Sequence, residues 1–182
     1  PAMVYMQNSG LGNAVNPLLS LCDPEVYGVP MLLVIGWRGE PGTEDEPQHI
    51  KQGRVTPTLL ETMGIPYLIM GPDSDVRSAV GAVRSMMIEN GGPAAILIRT
   101  GTFSPYKQKW GQEPKYEMGR EDAIKEVVNS LRASDTIVST TGKASRELYE
   151  HRAHLGKGSE KDFLTVGSMG HASSIALGLA LT

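Results

Sequence analysis

Short apolar runs alternate with amphipathic stretches along most of the chain, and this alternation constrains the fold more than any other feature. The apolar runs are bounded by Gly, Pro or polar residues, which is typical of buried strands; they span residues 2–6, 30–35, 67–70, 94–98, 135–139 and 162–166. The intervening stretches predict helices at residues 13–22, 56–63, 74–89, 120–132, 145–154 and 171–181. Such alternation predicts an α/β fold, with parallel strands and helices on both sheet faces.

Residues 101–118 interrupt the alternation because they mix Pro, Gly, Lys and aromatic residues without either period. We interpret them as a linker between two α/β units, residues 1–100 and 119–182. A long surface loop within one domain is the alternative, although such loops are uncommon. The first predicted strand opens the chain and the last predicted helix closes it. We therefore expect both units to be partial and the chain to be a fragment.

Composition excludes several classes of protein. The net charge is -3 and no Arg-rich run is present, so nucleic acid is not an expected partner. Cys22 is the single cysteine, which excludes an intrachain disulfide and favours a reducing compartment, the cytoplasm. No apolar run approaches the roughly 18 residues of a membrane span, so we expect no membrane segment.

Ligands of open parallel sheets bind at the carboxyl ends of the strands, so the loops there are the candidate sites. The first follows residues 2–6 and spans residues 7–13, where Gly10 and Gly12 predict a tight turn into a helix. A simple strand-to-helix turn is the alternative. A nicotinamide-dependent oxidoreductase would need small residues at the GxGxxG spacing, and Val15 argues against it.

The second candidate loop is a long polar excursion that follows residues 30–35 and includes Arg38, Gln48 and His49. His49 is a candidate acid, base or anion ligand because histidine titrates near neutrality. The Arg38 guanidinium is suited to clamp an anionic group. The alternatives are a solvated His49, and an Arg38 that pairs with Glu40 or Asp45.

Two further strand-to-helix loops lie in the second half of the chain. Residues 140–145 carry hydroxyls and a glycine at the start of a helix, an arrangement that suits a phosphate; an ordinary helix cap by Thr141 or Ser145 is the alternative. They do not form a Walker loop. Residues 166–172 precede a helix of small residues, for which a packed core helix is the alternative.

Four tracts together carry a resemblance to a known family: QNSGLGNAVNPL, GWRGEPGTEDEPQHIKQG, STTGKASRELYE and DFLTVGSMGHASSIALGLAL. In this order they resemble the thiamine diphosphate-dependent decarboxylases, and within them the phosphonopyruvate decarboxylase family, over essentially the whole chain. Sulfopyruvate decarboxylase looks like a close relative. The resemblance implies that residues 1–100 are the later part of a pyrimidine-binding domain. Residues 119–182 would be the beginning of a diphosphate-binding domain.

The resemblance also implies roles for individual residues. Gly142, Lys143, Ala144 and Ser145 would hold the diphosphate of thiamine diphosphate. Gly167, Ser168 and Met169 would grip its aminopyrimidine ring, with the Met169 side chain wedged beneath the cofactor. Gln7 and Asn8 would line the substrate side from the partner subunit and His49 would lie near the domain interface, and these three are the candidate catalytic residues.

The implied activity is decarboxylation of a small anionic 2-oxo acid, phosphonopyruvate to phosphonoacetaldehyde and CO2, in a homodimer or higher homo-oligomer. Arg38, Lys143 and His171 are candidates to offset the charge of the substrate. The family's activating glutamate and its Mg²⁺-binding motif have no counterpart in these residues, so no metal ligand is assigned and we expect the chain alone to be inactive or nearly so. Sulfopyruvate decarboxylation and a non-catalytic binding or oligomerisation role are the alternatives.

Overall fold

The computed structural model describes residues 2–107, 116–140, 142–167 and 169–182. The chain divides into two compact units, Pro1–Lys107 and Gln108–Thr182. Both contain parallel strands with helices between them, so the α/β fold class is confirmed. Residues 108–115 of the predicted linker lie outside the described residues, and the linker remains a prediction.

The first unit is a four-stranded parallel sheet in the order β1-β2-β4-β3. Its elements are β1 (Ala2–Gln7), α1 (Asn8–Pro17), a π-helix (Leu18–Cys22), β2 (Met31–Gly36), α2 (Pro47–Thr62), β3 (Tyr67–Met70), α3 (Val76–Asn90) and β4 (Ala94–Ile98). Helices pack on both faces, as predicted. Leu97 of β4 packs in one core with Leu11 of α1 and Leu60 of α2, whereas Ile96 packs in a second core with Val83 of α3.

β1 is an edge strand and is not buried as its apolar sequence predicts. Met3 is 69% exposed and Tyr5 is 71% exposed, while the alternate residues Val4 and Met6 pack against the core that contains Leu11. β1 pairs only with β2 within the described sheet. A short apolar run alone does not distinguish a central strand from an edge strand.

Two helices of the first unit begin earlier than the sequence predicts. α1 begins at Asn8, directly after β1, so Gly10 and Gly12 lie inside a helix and the predicted tight turn is wrong. α2 begins at Pro47, and His49 therefore lies in its first turn rather than in a loop. The sequence predicts this helix only from residue 56.

The second unit contains α4 (Arg120–Ser130), β5 (Ile137–Ser139), α5 (Lys143–His154), β6 (Asp162–Leu164) and α6 (Ala172–Ala180). β5 and β6 pair in parallel, with Ser139 opposite Leu164. No residue of α6 is buried, contrary to the alternative of a packed core helix. No helix in the described part of the chain has both the length and the apolar character that a membrane crossing requires.

Candidate functional site

Asn8 joins three elements at the carboxyl edge of the first sheet. Its side-chain amide donates to the Arg38 carbonyl at 2.9 Å and to the Thr56 hydroxyl at 3.1 Å, and its oxygen accepts from the Arg38 amide at 3.2 Å. Asn8 is 4% exposed. These bonds engage both ends of the amide, so Asn8 holds the loop after β2 against α1 and α2. Its neighbour Gln7 is exposed and accepts from the Ser9 hydroxyl at 2.7 Å.

The same loop lies in close contact with the middle of α2. Pro57 has no N–H to donate to the Gly53 carbonyl, four residues earlier, and the indole N–H of Trp37 donates to that carbonyl instead, at 2.9 Å. Gly53 and Gly39 touch through their backbones, so a Cβ on Gly53 would overlap the Gly39 carbonyl. Gly39 also has φ +67°, which favours glycine. Two glycines and a proline thus fix the loop on α2.

Arg38 forms an ion pair with Asp45 within the loop, the alternative that the sequence left open. The Nε of Arg38 donates to Asp45 Oδ2 at 2.8 Å, and its NH2 group donates to the other carboxylate oxygen. Asp45 also accepts from the Gly39 amide at 2.7 Å and the Glu46 amide at 2.7 Å. The hydrogen bond from Arg38 holds the pKa of Asp45 well below its ordinary value, and that from the Glu46 amide acts in the same direction.

A second ion pair crosses from this loop to the end of β4. Glu40, 9% exposed, forms an ion pair with Arg99, with its Oε1 2.7 Å from the Nε of Arg99. The backbone amide of Arg99 donates to the Met70 carbonyl at 2.9 Å, and its side chain lies against Gly71. Arg99 is therefore oriented by the ends of β3 and β4 and by a nearly buried carboxylate.

Two buried polar atoms at the start of α2 have no hydrogen-bond partner among the described residues, Gln48 Oε1 and His49 Nδ1. Buried polar atoms are almost always paired, so a partner from outside these residues is expected. Both follow the loop after β2 and lie toward the carboxyl edge of the sheet, where a ligand would bind.

In the second unit, the loop after β5 presents the amino end of α5. Gly142, immediately before the helix, has φ +77° and ψ -130°, a conformation that favours glycine, and nothing lies within 4 Å of the position of a Cβ there. Lys143 is exposed and Ala144 is partly buried. The first amides of a helix lack helical partners, and they attract anions. This loop is suited to a phosphate group.

Ser145 has a different position from the one that the resemblance implies. It is 8% exposed, and its hydroxyl lies 2.5 Å from the Thr140 carbonyl and 3.2 Å from the Thr165 carbonyl. The Ser139 hydroxyl lies 2.6 Å from it. Ser145 therefore ties the ends of β5 and β6 together in this structure, and its assignment to the diphosphate remains an untested prediction.

The loop after β6 lies beside that after β5, because the two strands are parallel neighbours. Met169 is 73% exposed, an unusual position for a large apolar side chain, and Gly170 follows with φ +88°. His171 Nδ1 lies 3.3 Å from the Met169 carbonyl. Ser168 and Thr141 lie outside the described residues.

Within the described ranges, no group of three or more His, Cys, Asp or Glu side chains is arranged to hold a metal ion. The anion-binding features of the second unit are instead backbone amides and the Lys143 ammonium group. The loops at the carboxyl edges of both sheets are therefore the candidate ligand sites, each described within its own unit.

The sequence identified the loops but missed some of the contacts within them. The Glu40–Arg99 pair was not predicted, although Arg99 directly follows a buried strand at the edge where ligands are expected. The roles of Trp37 and Gly53 were also missed. Proline within a helix was the available signal, since it leaves a carbonyl that needs another donor.

The fold and these loops define an α/β protein of the parallel-sheet class with candidate ligand sites at the ends of its strands. No protein-family model matches the chain. A phosphonopyruvate decarboxylase of Streptomyces viridochromogenes is 34% identical to this chain. The match covers 96% of the chain and 46% of the Streptomyces protein. The predicted resemblance to phosphonopyruvate decarboxylase is therefore confirmed.

Sulfopyruvate decarboxylases are also similar, among them separate alpha and beta subunits. The alpha subunit of Methanothermobacter thermautotrophicus is 32% identical over 52% of the chain and 56% of its own length. The beta subunit of Methanocaldococcus jannaschii is 47% identical over 34% of the chain and 30% of its own length. The chain spans about half the length of the phosphonopyruvate decarboxylase that it matches.

Proposed function

We propose that the protein carrying this chain catalyses thiamine diphosphate-dependent decarboxylation of a small anionic 2-oxo acid, with phosphonopyruvate as the substrate. The products are phosphonoacetaldehyde and CO2. The observation that carries this proposal is the similarity to a phosphonopyruvate decarboxylase over 96% of the chain. The open, glycine-bounded loops after β5 and β6 support it, because an anionic cofactor needs free amides and space.

The described residues fit thiamine diphosphate. The amides at the amino end of α5, with Gly142, Lys143 and Ala144, would hold the diphosphate. Mg²⁺ would bind the same diphosphate. Gly167 and Met169 would bind the aminopyrimidine, and the exposed Met169 side chain would be covered by it. When bound, the cofactor supplies an electron sink for the carbanion that loss of CO2 generates.

The remaining contributions come from side chains of the first unit. Gln7 and His49 are proposed to contact the substrate, and the unpaired Nδ1 of His49 would gain its missing partner from it. Asn8 is proposed as a positioning residue rather than a direct contact, since the loop after β2 already engages both ends of its amide.

We also propose that the first unit is the pyrimidine-binding part and the second the diphosphate-binding part. The sizes of the two subunit matches, 95 residues for the alpha subunit and 62 for the beta subunit, support a division into two parts, as in the units Pro1–Lys107 and Gln108–Thr182; the roles of the two parts come from the resemblance. A homo-oligomer is the proposed assembly, and the cytoplasm the proposed location.

Sulfopyruvate is the second candidate substrate, favoured by the subunit matches. The test measures kcat/KM of the complete protein with phosphonopyruvate, sulfopyruvate and pyruvate, in the presence of thiamine diphosphate and Mg²⁺. We expect the highest value for phosphonopyruvate. A higher kcat/KM for sulfopyruvate would make sulfopyruvate, rather than phosphonopyruvate, the substrate. Absence of turnover with both anionic acids would refute the proposed decarboxylase activity.

A non-catalytic role is distinguished by cofactor binding. Thiamine diphosphate with Mg²⁺ should raise the melting temperature of the complete protein, because a ligand that binds only the folded state stabilises it. Met169→Ala should weaken cofactor affinity about 10- to 100-fold, the equivalent of one buried methionine, whereas Met169→Leu should retain most of it. Met118, exposed outside these loops, provides the control Met118→Ala. Absence of any shift in the wild-type protein would favour the non-catalytic role.

A further inference from the structure

Arg99 and Arg38 lie at the ends of neighbouring strands. Gly36 pairs with Ile98 and the Trp37 amide donates to the Ile98 carbonyl at 2.9 Å, so Arg99 directly follows the end of β4 while Arg38 lies two residues beyond the end of β2. Their side chains are 39% and 50% exposed. The carboxyl edge of the first sheet therefore presents two guanidinium groups.

Each guanidinium is oriented by a carboxylate of the same loop. Asp45 and Glu40 have side chains that are only 10% exposed. Arg38 donates from both Nε and NH2 to Asp45, whereas Arg99 lies beside Glu40 with its Nε 2.7 Å from Oε1. Each pair has no net charge, so recognition here depends on oriented N–H donors rather than on excess positive charge. Arg99 retains more uncommitted donors than Arg38.

The backbone next to Arg99 leaves space for its side chain. A Cβ on Gly71 would lie 3.3 Å from Cδ of Arg99 and 3.9 Å from its NH1 group. The side chain thus lies along the end of β3 with its far end exposed. Orientation from two sides lowers the entropy lost when a ligand binds.

We infer that Arg99 is a specificity-determining residue that binds the phosphonate or sulfonate group of the substrate. This inference rests on the proposed function. The distal anion is the suitable partner because the carboxylate loses its charge as CO2 departs, and a cation held on it would stabilise the substrate more than the transition state. A planar guanidinium whose two terminal nitrogens have no hydrogen-bond partner among the described residues matches the oxygens of a tetrahedral anion.

The direct test is calorimetric titration of the complete protein, loaded with thiamine diphosphate and Mg²⁺, with phosphonoacetate, which lacks the 2-oxo group. Arg99→Gln should raise its Kd roughly 10- to 100-fold, the effect of losing a charge-assisted hydrogen bond. Arg84→Gln, an exposed arginine on α3, is the matched control and should change Kd by less than about twofold. Equal affinities of wild type and Arg99→Gln would overturn the inference, as would a wild-type protein that does not bind phosphonoacetate.

Arg99→Gln leaves the Glu40 carboxylate without its partner, and loss of folding would also weaken binding. The double variant Glu40→Gln/Arg99→Gln removes that charge and should melt near the wild-type temperature while binding phosphonoacetate as weakly as the single variant. Tight binding by a folded double variant would contradict the role of Arg99.

Turnover separates this inference from the proposed function. Arg99→Gln should raise KM for phosphonopyruvate and leave kcat/KM for pyruvate, which has no distal anion, nearly unchanged. An equal loss for both acids would overturn the specificity role. If the wild-type protein binds phosphonoacetate through Arg99 but turns over neither anionic oxo acid, the proposed decarboxylase activity is refuted and the role of Arg99 in anion binding is retained.

Discussion

Gly53→Ala should destabilise the protein although it replaces glycine inside a helix. In an open helical position, alanine is favoured over glycine by about 1 kcal/mol. At Gly53, however, the new Cβ would overlap the Gly39 carbonyl and approach the Arg38 carbonyl oxygen at 2.6 Å. Neither group yields easily, because Asn8 and Asp45 hold this backbone. Overpacking of this kind costs about 1–3 kcal/mol or more, which exceeds the helical gain.

Gly81→Ala is the matched control. Gly81 lies within α3 and nothing lies within 4 Å of its Cβ position, so this variant should be stabilised by up to about 1 kcal/mol. Urea denaturation followed by circular dichroism measures both free energies of unfolding. A Gly53→Ala variant as stable as wild type, or shifted in the same direction as Gly81→Ala, would refute the close approach of the loop to α2.

Three further predictions concern the same loops. Trp37→Phe should cost about 1–3 kcal/mol in urea denaturation, because the Gly53 carbonyl loses its donor; an unchanged stability would contradict that hydrogen bond. The pKa of Asp45 is lowered in the folded state, so its contribution is present above about pH 4 and declines as the pH falls below that value. Asp45→Asn should accordingly lose less stability than wild type between about pH 6 and pH 3, and an equal loss would argue against the ion pair with Arg38. Gly142→Ala should cost about 1–3 kcal/mol because of its positive φ, measured by thermal denaturation, and no loss would contradict that backbone conformation.

The sequence predicts the fold where burial is uniform. β3 and β4 have the predicted bounds, because their apolar residues are flanked by proline or glycine. The predicted start of α2 was wrong because proline disfavours the interior of a helix when only the local sequence is considered. Pro57 is accommodated inside α2 because the distant indole of Trp37 donates to the Gly53 carbonyl. Local propensity cannot include a donor that another element provides.

For the candidate site, too, features set by local sequence were predicted and contacts between distant elements were not. The loops were predicted because parallel strands bring their carboxyl ends to one edge. The individual contacts were not, because Glu40 and Arg99 are distant in sequence and meet only through the strand order of the sheet. Ser145 resembles a ligand in its motif, yet its hydroxyl lies among the ends of β5 and β6.

The proposed decarboxylation of phosphonopyruvate with thiamine diphosphate is tested by a ³¹P NMR time course. Phosphonopyruvate is incubated with the complete protein and Mg²⁺, with and without thiamine diphosphate. We predict conversion of its signal to that of phosphonoacetaldehyde only when the cofactor is present. An unchanged spectrum with cofactor, or conversion at the same rate without it, would contradict the proposed function.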